Sequence, residues 1–114
     1  MSAEISVINR GVILIVPKKP FYDWANNLTP GDAVNAEGFD EYSSYLITDD
    51  FTSSDKVVEK YYKKIFEEQL MGMWTNEQDW PQNRSFKLFK EWFNYYVSSM
   101  VIDLEKGKII RENY

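Results

Sequence analysis

The sequence predicts an α+β domain in which helices pack on one face of a three- to four-stranded, mainly antiparallel sheet, in the order β-α-β-α-α-β-β. Three observations lead there. Apolar side chains recur at helical spacing over 55–70 and again over 85–93, β-branched runs occupy both ends of the chain, and no repeat or change of composition divides the 114 residues. The domain spans 1–114.

The first strand is Ile5 to Val16 (ISVINRGVILIV). It begins with rough alternation and becomes continuously apolar, which places its later half centrally in a sheet with both faces covered. Gly11 marks a bend or bulge, and Pro17 ends the strand because it has no N–H to donate. PFYDWANNL follows as a short helix with Pro20 in its first turn and Phe21, Trp24 and Leu28 on one side. Residues 29–41 offer few apolar anchors and read as a loop. Tyr42 to Asp49 reads as a short strand. A ferredoxin-like βαβ arrangement would need a right-handed crossover through the Pro20 helix.

The long helix starts where Thr52 or Ser54 can cap and Asp55 enters the first turn. Val57, Val58, Tyr61, Tyr62, Ile65, Phe66 and Gln69 trace its stripe, and the helix ends near Gly72. The opposite side alternates lysine with glutamate. The pair Glu59–Lys63 and the like-charged pair Lys60–Lys64 partly cancel, so the stripe decides stability. In TNEQDWPQNR, Thr75 and Gln78 can form a one-turn capping box before Pro81. A second helix starts at Asn83 or Ser85 and aligns Phe86, Phe89, Trp92 and Phe93. Near Tyr95 the period becomes extended. A strand to Leu104, a turn through Glu105, Lys106 and Gly107, and a final short strand from Lys108 complete the chain.

Composition excludes much chemistry. Histidine and cysteine are absent, which removes the Ser-His-Asp triad, thiolate nucleophiles and His- or Cys-based zinc sites. No GxGxxG or GxxxxGK[ST] run supports a nucleotide site, and Asp49 and Asp50 lack the glycine and terminal glutamate of a calcium loop. Glu67 and Glu68 point about 100° apart on a helix and read as a solvated face. No metal or cofactor is expected. The net charge is −5, and between Pro20 and Asp55 eight acids occur without one lysine or arginine. That block repels phosphate backbones, so nucleic acid is not an expected partner. The N-terminus lacks the basic and apolar regions of a secretory signal, and the apolar run Val12–Pro17 is far short of the ~20 residues that cross a bilayer. The expected setting is cytoplasmic, without membrane contact.

Eleven of the nineteen aromatic residues lie between Tyr61 and Tyr96. Within them, MWTNEQDWPQNR is the most distinctive segment, and Trp74, Glu77, Asp79, Trp80 and Arg84 are its candidate interaction or ligand residues. Arg84 can stack on Trp80 or fork onto Glu77 or Asp79. Two readings stand side by side. Trp74 and Trp80 pin the loop to the core, or part of the segment stays exposed as a recognition patch. Exposure of the Trp80 ring separates them.

PFYDWANNL, YLI at 45–47, IFEEQLMGMWTNEQDWPQNRSFKLFKEWF at 65–93 and VSSMVIDL at 97–104 together resemble a family of small uncharacterised bacterial proteins. Its pattern is a DWAN-like segment, an IFEEEL helix, a W-T-D-E-x-x-W-P turn and an EWF helix leading into a strand. The resemblance spans most of the chain. Asn76 stands where the family commonly has an acid, and the resemblance implies a bacterial cytoplasmic domain without supplying a mechanism. The expected function is therefore a small non-catalytic domain that binds another protein or self-associates. The alternative is a small-molecule binder or enzyme that uses carboxylate and arginine groups near the 74–84 turn.

Overall fold

The computed structural model describes residues 5–28 and 42–113. Its elements are β1 (Ser6–Ile8), β2 (Gly11–Pro17), α1 (Lys19–Leu28), β3 (Ser43–Ile47), α2 (Ser54–Met73), a 3₁₀ turn (Glu77–Asp79), α3 (Phe86–Trp92), β4 (Phe93–Ser98) and β5 (Val101–Asp103). The α+β class holds. The expected loop at 29–41 lies outside the described residues.

Strand β2 is central, flanked by β3 and β4 in the order β3-β2-β4, and both pairings are antiparallel. Strands β2 and β3 therefore need no crossover, and the ferredoxin-like alternative does not apply. The single expected N-terminal strand is split. Ile8 pairs with Val101 and Val12 with Ser98, so residues 9–11 face only 99–100. One extra residue on the first strand is a bulge, and beyond it β1 and β5 form a separate two-stranded arm. Gly11 sits at its edge for steric cause. A Cβ there would lie 2.8 Å from the carbonyl oxygens of both Ser98 and Thr48, on the chains either side.

Helix starts follow local chemistry. Ser53 caps α2, accepting from the Lys56 amide at 3.3 Å, in place of the expected Thr52 or Ser54. Ser85 caps α3, accepting from Leu88 at 3.1 Å. Asn76, not Thr75, caps the 3₁₀ turn through the Gln78 amide. Helix α3 passes straight into β4, and its last carbonyls are held by Lys18, whose amide reaches Trp92 O at 2.8 Å and whose Nζ reaches Lys90 O at 3.0 Å.

All three helices lie over one sheet face. Ile13, Ile15 and Phe93 from the strands meet Phe21, Phe66, Leu70 and Phe89 from the helices in one buried cluster. Phe66 is the hub, with its ring centroid 5.7 Å from Phe89 and 5.5 Å from Phe93 in edge contacts. Fourteen of the nineteen aromatic residues are buried in this cluster or packed against it. The aromatic surplus is thus core material, and it supplies no interaction surface by itself.

Two expectations fail. No strand forms from Lys108, because residues 105–113 run exposed with no neighbouring strand among the described residues to complete a ladder. And β2, though central, is not covered on both sides. Ile13 and Ile15 are fully buried on the helix side, whereas Val12, Leu14 and Val16 remain partly exposed on the other.

Candidate functional site

The 74–84 segment folds into a clasp built on indole N–H groups. Trp74 Nε1 donates to Asp79 Oδ2 at 2.9 Å, Trp80 Nε1 to the Trp74 carbonyl at 2.7 Å, and Trp24 Nε1, from α1, to the Asp79 carbonyl at 2.8 Å. The Trp80 ring is only 4% exposed. It therefore occupies core, as the pinned-loop reading expects, and offers no aromatic surface. Arg84 donates to the Pro81 carbonyl at 2.7 Å, lies 5.7 Å from the Trp80 ring centroid and approaches Glu67 at 3.8 Å. Its fork onto Glu77 or Asp79 does not form. Glu77 is exposed on the outer side of the 3₁₀ turn.

The structure thus brings Trp74, Asp79, Trp80 and Arg84 together and leaves Glu77 outside. Their polar groups are spent on closing the turn. Beside it lies a polar notch of about 270 Å³ lined by Lys63, Glu67, Gln82 and Arg84, of which Arg84 was a candidate residue and Glu67 was expected on a solvated face. Among the described residues, no group of three or more carboxylates could hold a metal ion.

A second polar feature was not legible in the sequence. Tyr45 on β3 donates to Glu68 Oε1 at 2.5 Å and accepts from Gln69 Nε2 at 2.7 Å, bridging the sheet to α2. Burial, with the Glu68 bond second, pushes the Tyr45 phenol well above its ordinary value. Glu68 also borders a concavity of about 200 Å³ shared with Pro17, Phe21, Tyr42 and Met73. That volume is below the roughly 300–1,000 Å³ of ordinary ligand pockets. Glu68 was expected on a solvated face. Its carboxylate is instead drawn to the sheet by Tyr45.

A further unassigned feature among the described residues is the sheet face away from the helices. Alternation sends β2's Val12, Leu14 and Val16 outward, with Ser44 and Leu46 from β3 and Asn94, Tyr96 and Ser98 from β4 beside them. Leu46 is 51% and Tyr96 59% exposed. The alternation continues past the bend at Ser99, so Met100 and Ile102 are also exposed, with Val7 directly across from Ile102. These side chains are apolar on both the sheet and the arm, and Arg10 lies in the bulge between the two parts. Sequence pattern held the signal for it: ILIV in β2 is continuously apolar, as in strands covered on both sides.

Neither protein-family models, nor curated proteins, nor solved structures match this chain. Among the described residues, no helix is long and apolar enough to cross a membrane.

Proposed function

We propose that this protein is a small non-catalytic interaction domain, working in the bacterial cytoplasm as its resemblance implies, and that the stripe on the open sheet face and arm is its binding surface. One observation carries the reading. The central strand has the composition of a strand buried on both sides, yet its outward row is left partly exposed next to Leu46 and Tyr96. A contiguous apolar face of this kind on a small domain marks a contact surface. The partner expected is a protein, since the row of Val12, Leu14 and Val16 with Leu46 and Tyr96 is apolar and the chain's net charge is −5.

Catalysis finds less support. Asp79 and Arg84 are bound up in the clasp, Glu77 lies exposed outside it, and of the five candidates Arg84 alone lines a concavity there. The test is an affinity capture from bacterial lysate with the parent and with the Leu46→Glu, Tyr96→Glu double variant, whose fold is checked by circular dichroism. A stoichiometric partner lost with the variant supports the surface. A partner retained by both moves the surface elsewhere, and no partner for a protein that is also monomeric removes the interaction reading.

A further inference from the structure

We infer that the outer edge of β3, with the groove between it and α2, binds an extended acidic peptide that joins the sheet as an added strand and sets its carboxylates against the lysines of α2. This surface lies beside the open sheet face and shares Leu46 with it. The inference does not rest on the open-face reading above.

The strand edge selects a main chain. Among the described residues β3 has β2 as its sole neighbour, so the N–H and C=O groups along its other side meet no strand. Edge strands commonly carry a lysine, a proline or a bulge that deters pairing. SSYLI has no charge and no proline, and its register with β2 runs unbroken from Ser43 to Ile47. Beside it lies a concavity of about 350 Å³ lined by Tyr45, Leu46, Tyr61, Lys64, Ile65 and Glu68. Tyr45 and Leu46 are consecutive and point to opposite faces of the sheet. A hollow that touches both therefore opens at the edge of the strand.

The same two walls continue past it. A second concavity, of about 370 Å³, lies between Thr48 and Phe51 on the strand side and Lys56, Val57 and Lys60 on α2. Tyr45 thus faces the later turns of α2 and Thr48 the earlier ones, so the helix runs back along the strand. The Tyr45 hydroxyl, bonded to Glu68 and Gln69, fixes the distance between the walls at one end. A groove with a strand edge on one side and a helix on the other accepts a peptide as an extra strand, its alternate side chains entering the hollows.

Charge selects the kind of peptide. Lys56, Lys60 and Lys64 follow the α2 rim four positions apart, all three exposed, and none of them takes part in an ion pair among the described residues. Four helical residues rise about 6 Å. Same-face side chains of an extended strand repeat at about 6.7 Å, so acids at alternate positions meet successive lysines. The carboxylates on these walls are Asp50 and Glu68, and Glu68 is already bonded to Tyr45. Three lysines against two carboxylates leave the groove positive in a chain of net charge −5. The field of distant acids is screened over about 8 Å at physiological salt, which leaves these lysines to govern the contact. A nucleic-acid strand would match the lysines but has no amide ladder to offer β3.

The probe is a capped eight-residue peptide alternating glutamate with valine, titrated into the intact protein and followed by NMR of the backbone amides. Shifts are expected at Ser43–Ile47 and Lys56–Glu68, saturating below about 1 mM. Methylating the amide nitrogens along the pairing edge of the peptide is expected to weaken binding by about tenfold or more, with every side chain kept. Lys60→Glu with Lys64→Glu, checked for retained helix by circular dichroism, weakens it by about as much. The charge-matched pair Lys87→Glu with Lys108→Glu, exposed and outside the groove, stays within about twofold. Absence of saturation by about 1 mM, indifference to N-methylation, or equal binding of a peptide with lysine in place of glutamate each overturns the inference. Shifts centred on Val12 and Tyr96 would move the peptide to the open face, and tighter binding of a single-stranded oligonucleotide would replace it with nucleic acid; either outcome also overturns it.

Discussion

At the scale of single residues, the tyrosine–carboxylate bonds set how stability answers to pH. Tyr95 donates to Asp55 Oδ1 at 2.5 Å, and burial, aided by that bond, pushes its phenol up to about 12. An unfolded tyrosine titrates near 10. The folded state therefore holds the proton more tightly, and the contribution of this hydroxyl is complete below about pH 10 and lost between 10 and about 12. Tyr95→Phe is expected to cost about 1 kcal/mol at pH 8. The deficit shrinks toward zero by about pH 12, read from urea midpoints along the series. Some alkaline slope remains in the variant, since Tyr45 and Tyr22 are also shifted upward. A deficit independent of pH would show that the hydroxyl acts by packing alone. None of these bonds was legible in the sequence, because Tyr95 and Asp55 are forty positions apart and only the finished fold joins them. The serine cap of α3 was legible, because it acts over three residues.

At the scale of elements, local pattern predicted what local physics decides. The helical stripes of α2 and α3, the bend near Gly11 and the change of period into β4 all follow from spacing. What failed needed a neighbour. Lys108, Ile109 and Ile110 have strand composition, but Ile110 remains 80% exposed with no ladder to join among the described residues. The clasp is the mixed case. Its residues were singled out by composition, yet their role turned on Trp24, an indole 55 positions away that closes the turn from α1. Its energetics should rank accordingly. Trp80→Ala removes a buried indole and is expected to cost about 3–5 kcal/mol. Asp79→Ala strips the acceptor from Trp74 Nε1 at a partly solvated site, for about 1 kcal/mol. Asp79→Asn keeps an acceptor and Glu77→Ala breaks nothing, so both stay within about 0.5 kcal/mol. Urea unfolding resolves this order. A Glu77→Ala loss equal to that of Asp79→Ala would mean that the outer carboxylate, too, holds the turn.

At the scale of the whole molecule, the fold divides into a body that carries stability and extensions that do not. The radius of gyration is 16.4 Å, against about 13 Å for a compact chain of this length, and the longest extent is 55 Å beside 30 and 27 Å. The buried cluster ends in sequence at Phe93, and residues 105–113 are exposed throughout. Ending the chain after Leu104 removes no buried side chain from the described residues and leaves every pairing of β5 intact. Its effect on stability is expected within about 0.5 kcal/mol, with the urea slope nearly unchanged because almost no surface that unfolding exposes has been removed. A loss of about 2 kcal/mol or more would show that Ile109 and Ile110 are docked in solution.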